Sequence, residues 1–316
     1  MFAGIDIGGT GIKGVITDNN ASIITSDDIP TPGTAREIDL AIAGLLNSMT
    51  QQCGIKLNKL KAAGIGAAGS IDNLKGIAIH SPNIPSWNNY PLAAKIESLT
   101  GIPVVLENDA TVATAGAWLQ DNIKGYNNWI MVTLGTGIGG GAVIDNRIYT
   151  GQSGSSLEVG HMTIDINGRE CPCGNRGCLE RYASATALVE TTKEYLKIFP
   201  DSSLSKRMIN EKLSSKMIYE EASNNDALAL KSINEISTYL GYGVVNIINI
   251  FNPEAVVFGG GLSQGHKLIF PVVKTIVKEH AMKGMKENVK FIHLRRQSRM
   301  SAMGAAKMAI ERIHFT

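Results

Sequence analysis

Residues 6–17 read Asp6-Ile7-Gly8-Gly9-Thr10-Gly11-Ile12-Lys13-Gly14-Val15-Ile16-Thr17, a glycine cluster leading directly into β-branched residues. With the apolar run Phe2 to Ile7 before it and Lys13 to Thr17 after it, the pattern predicts two short strands folded back as a hairpin. The element recurs. Gly135-Thr136-Gly137-Ile138-Gly139-Gly140 repeats Gly9-Thr10-Gly11-Ile12-Lys13-Gly14, again between two apolar runs, Trp129 to Leu134 and Gly141 to Ile144. Two copies of one element imply a duplicated domain with a ligand between the halves.

Both copies also match G-x-G-x-x-G, the dinucleotide fingerprint. That fingerprint needs a helix to open right after the glycines, with the pyrophosphate on its N-terminus. Here Val15-Ile16-Thr17 and Val143-Ile144 follow, so the chain continues as strand and the NAD reading fails. The phosphate-loop pattern G-x-x-x-x-G-K-[ST] is absent as well. What remains is a glycine hairpin whose unobstructed backbone N–H groups can approach an anion.

Outward from these turns, strands and helices alternate, which defines an α/β protein. Helical spacing covers Glu37 to Cys53, Pro91 to Thr100, Ala110 to Leu119, Leu268 to Met282 and Ser301 to Ile313; strands are expected at Leu60 to Ala67, Pro103 to Glu107 and Ala255 to Phe258. The longest helix is expected from Asp226 to Phe251. Its apolar residues Leu230, Ile233, Ile236, Leu240, Val244 and Ile247 step by three or four, and Asn252-Pro253 ends it.

Composition bounds the function. The 316 residues suggest about two domains. An apolar share of 44% and a charged share of 18% support a real core and exclude a disordered chain. With 30 basic and 28 acidic residues the net charge is only +2, which provides no basic stripe for a nucleic-acid backbone. No apolar run approaches the 18 or so residues of a membrane span. Met1-Phe2-Ala3-Gly4-Ile5-Asp6 reads as a strand without a basic stretch, so no secretory signal and a cytoplasmic protein are expected.

Two segments carry further chemistry. In Leu106-Glu107-Asn108-Asp109-Ala110 a buried strand passes into a helix. Asn108 or Asp109 there serves simply as a helix N-cap, or a carboxylate stands ready to accept a proton from an attacking hydroxyl. Phosphoryl transfer asks little more of a protein than a base, in-line positioning and a cation. The second segment is His161 followed by Cys171-Pro172-Cys173-Gly174-Asn175-Arg176-Gly177-Cys178. Three of the four cysteines crowd into this run, which fits metal ligation in a reducing compartment better than a disulfide scaffold. Three thiolates and one imidazole make a closed tetrahedral set, so a structural Zn²⁺ is expected. Cys53 reads as a small buried hydrophobe.

Asp6-Ile7-Gly8-Gly9-Thr10 with Lys13 resembles the first phosphate loop of the two-domain sugar-kinase, heat-shock-protein and actin ATPase fold, built of duplicated ribonuclease H-like domains around a cleft. Gly135 to Gly141, including Thr136 and Gly137, resembles its second phosphate loop, and Gly259-Gly260-Gly261 its adenosine loop. The resemblance implies ATP with Mg²⁺, Asp6 reaching the metal through water. Glu158-Val159-Gly160-His161 and the cysteine run ending Gly177-Cys178-Leu179-Glu180 are similar to the ROK family (repressors, open reading frames and sugar kinases) over nearly the whole chain. That likeness implies Asp109 as catalytic base, and Asn83, Asn108, Glu158, His161 and Glu180 as ligands of the sugar hydroxyls. Such converging groups fix which hydroxyl faces the phosphate. His161 would bind zinc through one ring nitrogen and the sugar through the other. One departure is Ala68-Gly69, where many relatives carry a Pro-Gly turn.

The resemblance implies an ATP-dependent hexokinase acting on the 6-hydroxyl, with glucose as the leading substrate and N-acetylmannosamine as the close alternative. A sugar-sensing ROK repressor is the competing class. Those relatives carry an N-terminal winged helix, for which a first strand starting at residue 2 leaves no room. An actin-like ATPase without a small acceptor is disfavoured by the zinc segment and Asn108-Asp109. The expected domains are residues 1–108 completed by 301–316, and residues 109–300 with the zinc segment, second phosphate loop and adenosine loop. A homodimer is implied by the family.

Overall fold

The computed structural model describes residues 1–81, 84–295 and 298–314. The chain begins with β1 (Phe2–Ile7), β2 (Gly11–Thr17) and β3 (Ile23–Pro30), then α1 (Ala35–Gln52) and β4 (Ala63–Ala67). Three short strands follow, β5 (Ser70–Asp72), β6 (Ile77–His80) and β7 (Asn88–Tyr90), then α2 (Leu92–Thr100), β8 (Val104–Asn108) and α3 (Asp109–Trp118). Next come β9 (Trp129–Leu134), β10 (Ile138–Ile144) and β11 (Arg147–Tyr149), then helices α4 (Glu180–Ala183), α5 (Ala185–Leu196), α6 (Ser203–Arg207), α7 (Ser215–Ser223) and α8 (Ala227–Phe251). The chain closes with β12 (Ala255–Gly259), α9 (His266–His280), β13 (Lys290–His293) and α10 (Met300–His314).

The α/β expectation holds, and most helix ends lie where the sequence marks them. Thr34 and Glu37 form a capping box at the start of α1, each side chain bonding the other's backbone N–H. Asp226 caps α8, and Asn252 at φ 44° ends it before Pro253. The strand expected from Leu60 begins only at Ala63, because Leu57–Lys59 close a 3-10 turn first.

The duplication is visible in topology. One sheet has the order β3-β2-β1-β4-β8 and another β11-β10-β9-β12-β13. In the first, β2 lies antiparallel to β1, while β4 and β8 continue in parallel. In the second, β12 and β13 continue in parallel from β9. The glycine turns thus occupy equivalent places, between β1 and β2 and between β9 and β10. A third sheet, β5-β6-β7, has no counterpart in the other half among the described residues.

Two compact units divide the chain, Met1–Gly125 with Gly141–Leu157 and Gln297–Thr316, and Tyr126–Gly140 with Glu158–Arg296. The first unit therefore runs past residue 108 and keeps α3. Its core contains Ile5, Ile12, Ile38, Ile42, Ile65, Trp87 and Leu106, all 0% or 1% exposed. α10 packs against the sheet of this unit because glycines leave it room: a Cβ on Gly4 would lie 1.9 Å from the Ala302 carbonyl oxygen, and one on Gly64 would lie 1.8 Å from that of Ala305. In the second unit, Ile236, Leu240, Val244 and Ile248 of α8 and Val256, Val257 and Phe258 of β12 are buried at 0%.

Candidate active site

In the first unit β8 delivers Asn108 and Asp109 to the sheet's C-terminal edge. Asn108 is the N-cap of α3. Its side-chain oxygen accepts from the N–H groups of Ala110 at 2.8 Å and Thr111 at 3.4 Å, and its amide donates to the Gly69 carbonyl at 2.9 Å. An amide nitrogen carries two N–H groups, and among the described residues only the Gly69 carbonyl engages one. Asp109 is exposed at the first turn of the helix, one oxygen accepting from Ala110 N–H at 2.9 Å. The capping role thus falls on Asn108, and the exposed carboxylate beside it belongs to Asp109.

Asp6, near the end of β1, feels Asp109 directly. Burial pushes its carboxyl up to about 6, the Asp109 charge adds to this, and Lys13, its partner in the β1–β2 register, offsets it. Two carboxylates that repel each other favour a divalent cation, whose charge reverses the local cost of ionisation. The donor set therefore fits the expected Mg²⁺.

The glycine turns are pinned so that their tips stay clear. In the first, Gly8 N–H donates to the Gly11 carbonyl at 3.0 Å, and the Thr31 hydroxyl donates to the Gly8 carbonyl at 2.7 Å. In the second, Gly135 N–H donates to the Gly137 carbonyl at 3.0 Å, and the Thr186 hydroxyl donates to the Thr136 carbonyl at 2.8 Å. Carbonyls are thus engaged by the protein, while Gly9, Thr10 and Thr136 are exposed. Gly260, at φ +88°, lies so close to the end of β9 that a Cβ there would sit 2.4 Å from the Leu134 carbonyl oxygen. Gly260 and Gly261 are exposed beside the turn that starts at Gly135.

The second unit gathers the cysteines. The ligand atoms of His161, Cys171, Cys173 and Cys178 all lie within 4.8 Å of one another. Cys171 Sγ is 3.7 Å from His161 Nδ1, and Cys173 Sγ is 3.7 Å from Cys178 Sγ. Tetrahedral zinc with Zn–S of about 2.3 Å and Zn–N of about 2.0 Å sets neighbouring ligand atoms about 3.5–3.8 Å apart. The two 3.7 Å separations match that spacing, and the set as a whole is compatible with zinc.

Glu180 opens α4 directly after this run and touches both features of the unit. Its Oε1 lies 3.7 Å from His161 Nδ1, and its Oε2 would be 2.6 Å from a Cβ on Gly137. A Cβ on Gly137 would require the Glu180 carboxylate to move aside. The surrounding protein raises the Glu158 carboxyl above its ordinary range, with His161 opposing and Glu180 adding to the shift. Glu158, His161, Glu180 and Gly137 are thus brought together in one unit. Asn83 lies outside the described residues. No sequence signal singled out Asn73, whose side chain bonds buried Glu107; the visible trace is a lone acid in the otherwise apolar run Val104-Val105-Leu106.

The ROK family model matches residues 2–312. The chain is 34% identical to the glucokinase of Streptomyces coelicolor over 281 residues, covering 87% of this chain and 86% of that one. It is also 32% identical to the xylose repressor of Bacillus subtilis over 316 residues, 99% of this chain and 77% of the repressor. Among solved structures, a ROK glucokinase from Streptomyces griseus in complex with glucose and AMPPNP superposes with a TM-score of 0.82 at 31% identity, covering 97% of this chain and 98% of that one. The chain belongs to the ROK family, and its fold is that of the ROK sugar kinases. Among the described residues no helix is long and apolar enough to cross a membrane.

Proposed function

We propose that this chain is an ATP-dependent hexokinase that transfers the γ-phosphoryl group of ATP to the 6-hydroxyl of glucose. The observation that carries this reading is Asp109, a solvent-facing carboxylate at the head of α3, paired electrostatically with Asp6. Its relatives among the glucokinases support the sugar-kinase class.

In this scheme Asp109 accepts the proton of the 6-hydroxyl as that oxygen bonds to the γ-phosphorus. The bond from phosphorus to the bridging oxygen of the β-phosphate breaks, and ADP leaves. Asn83, Asn108, Glu158, His161 and Glu180 bind the remaining hydroxyls and fix which one faces Asp109. Backbone N–H groups of Gly8 to Thr10 and of Thr136-Gly137, with Lys13, hold the phosphates, and Gly260-Gly261 the adenosine. Asp6 would hold Mg²⁺, and the metal would supply positive charge at the transferring phosphoryl group. Cys171, Cys173, Cys178 and one ring nitrogen of His161 would hold a structural Zn²⁺, leaving the other ring nitrogen to donate to the sugar. The working form is proposed to be a cytoplasmic homodimer.

The xylose repressor match favours one other reading, a sugar-binding regulator without turnover. A coupled assay of ADP release over glucose, mannose, fructose, N-acetylglucosamine and N-acetylmannosamine separates them. Turnover on glucose supports the proposal, and turnover on N-acetylmannosamine alone reassigns the substrate. Tight sugar binding without turnover on any sugar supports the regulator.

A further inference from the structure

Glu107 is a carboxylate where the fold has little reason to tolerate one. It stands in β8 after buried Val105 and Leu106, is 2% exposed, and precedes Asn108-Asp109. Both of its oxygens lie 3.1 Å from Nδ2 of Asn73, itself only 8% exposed. Positive charge reaches it from Arg312 on α10. Such a group persists only when its partners compensate for lost hydration.

Asn73 connects to two further segments. It lies just beyond β5, and the loop entering that strand supplies the Gly69 carbonyl that accepts from Asn108. On its other side is Gly154, at φ +84°, where a Cβ would fall 2.4 Å from Asn73 Cγ. Beside it the Ser155 hydroxyl donates to the Ile71 carbonyl at 3.0 Å. The segment 154–157 then runs directly into Glu158. The start of α3 and the segment before Glu158 are therefore both tied to the same small hairpin.

We propose that Glu107 and Asn73 form a buried brace that positions Asp109 at the head of α3 and fixes the segment leading into Glu158. The proposal rests on the kinase reading above. Both residues are buried and act through their neighbours, so both are positioning residues. A reacting group misplaced by a fraction of an ångström loses rate steeply, whereas the glycine turns that hold the nucleotide make none of these contacts.

The test uses the full chain with Asn73→Ala, Asn73→Ser, Glu107→Ala and Glu107→Gln. Steady-state kinetics for sugar and ATP are measured together with amide hydrogen exchange of residues 69–73, 108–112 and 154–157. Loss of the brace is expected to lower kcat by about tenfold or more and raise the sugar KM, with the ATP KM unchanged. Glu107→Gln keeps an oxygen to accept from Asn73 and is expected to recover most of kcat. Exchange should quicken in all three segments of the disrupted variants, but not at residues 135–140. Should the alanine variants fail to fold, Asn73→Ser carries the same expectation, its hydroxyl keeping the site polar while falling short of Glu107. Folded variants with wild-type kcat, sugar KM and exchange would overturn the brace, as would equal damage to the sugar and ATP KM values. If the wild-type chain phosphorylates no sugar, the kinase reading falls on its own. Exchange then decides the brace: quickening in the three segments supports it, and unchanged exchange overturns it.

Discussion

Oε1 of Glu180 stands 3.3 Å from Sγ of Cys171, so a carboxylate proposed to bind sugar rests directly against the thiol cluster. The same side chain fills the space beside Gly137. The thiol cluster, the proposed sugar ligand and the second glycine turn therefore meet at one residue at the start of α4. Disturbing the metal should be felt first by the sugar.

Cys173 is the exposed member of the cluster, and replacing it disturbs the core least. Cys173→Ser is expected to lose the metal and raise the sugar KM by about tenfold or more, with a smaller effect on the ATP KM. Metal analysis alongside kinetics checks this. A metal-free variant with unchanged sugar KM would break the link between the cluster and the sugar ligands.

Gly260 offers the reverse case. Alanine there must adopt φ +88° and pushes its Cβ into the Leu134 carbonyl. Gly260→Ala is expected to destabilise the protein by more than about 1 kcal/mol and to raise the ATP KM, leaving the sugar KM little changed. Denaturant unfolding and kinetics measure the two effects separately.

The glycine turns and the cysteine run were legible because each is local. Backbone approach and ligand spacing are written within a dozen consecutive residues, and the repeated glycine turn pointed to a duplication that the two five-stranded sheets display. The β5-β6-β7 sheet was not legible, because strands of three or four residues are too short to show an alternation. β3 was missed because Ser26, Asp27 and Asp28 interrupt its apolar pattern at the sheet edge. Glu107 could be read as a strand residue but not as a brace. Its partner lies 34 positions away and meets it only after β5 is folded back beside β8. Glu180 against Gly137 is hidden for the same reason.

Glu107 also predicts a pH dependence of stability. Burial pushes its carboxyl from the ordinary 4.5 up to about 7, against the lowering effects of the Asn73 hydrogen bond and the Arg312 charge. Between those values the folded protein binds a proton that the unfolded chain does not. This contribution is full below about pH 4.5 and is lost as pH rises through about 7, at most about 3 kcal/mol. Unfolding free energies of wild type and Glu107→Gln from pH 5 to 8 test it. The wild-type curve should fall more steeply toward pH 7 than that of the variant; parallel curves would refute the assignment.

The central claim is that Asp109 takes the proton from a sugar hydroxyl as phosphate is transferred. Asp109→Asn keeps the shape of the side chain at the head of α3 but removes its basicity. The most direct measurement is kcat for glucose phosphorylation by wild type and Asp109→Asn, with ADP and sugar phosphate both quantified. Turnover by the wild type that falls by about 10²–10⁴-fold in the folded variant, with sugar still bound, is the predicted result. A variant that phosphorylates glucose at the wild-type rate would contradict the account.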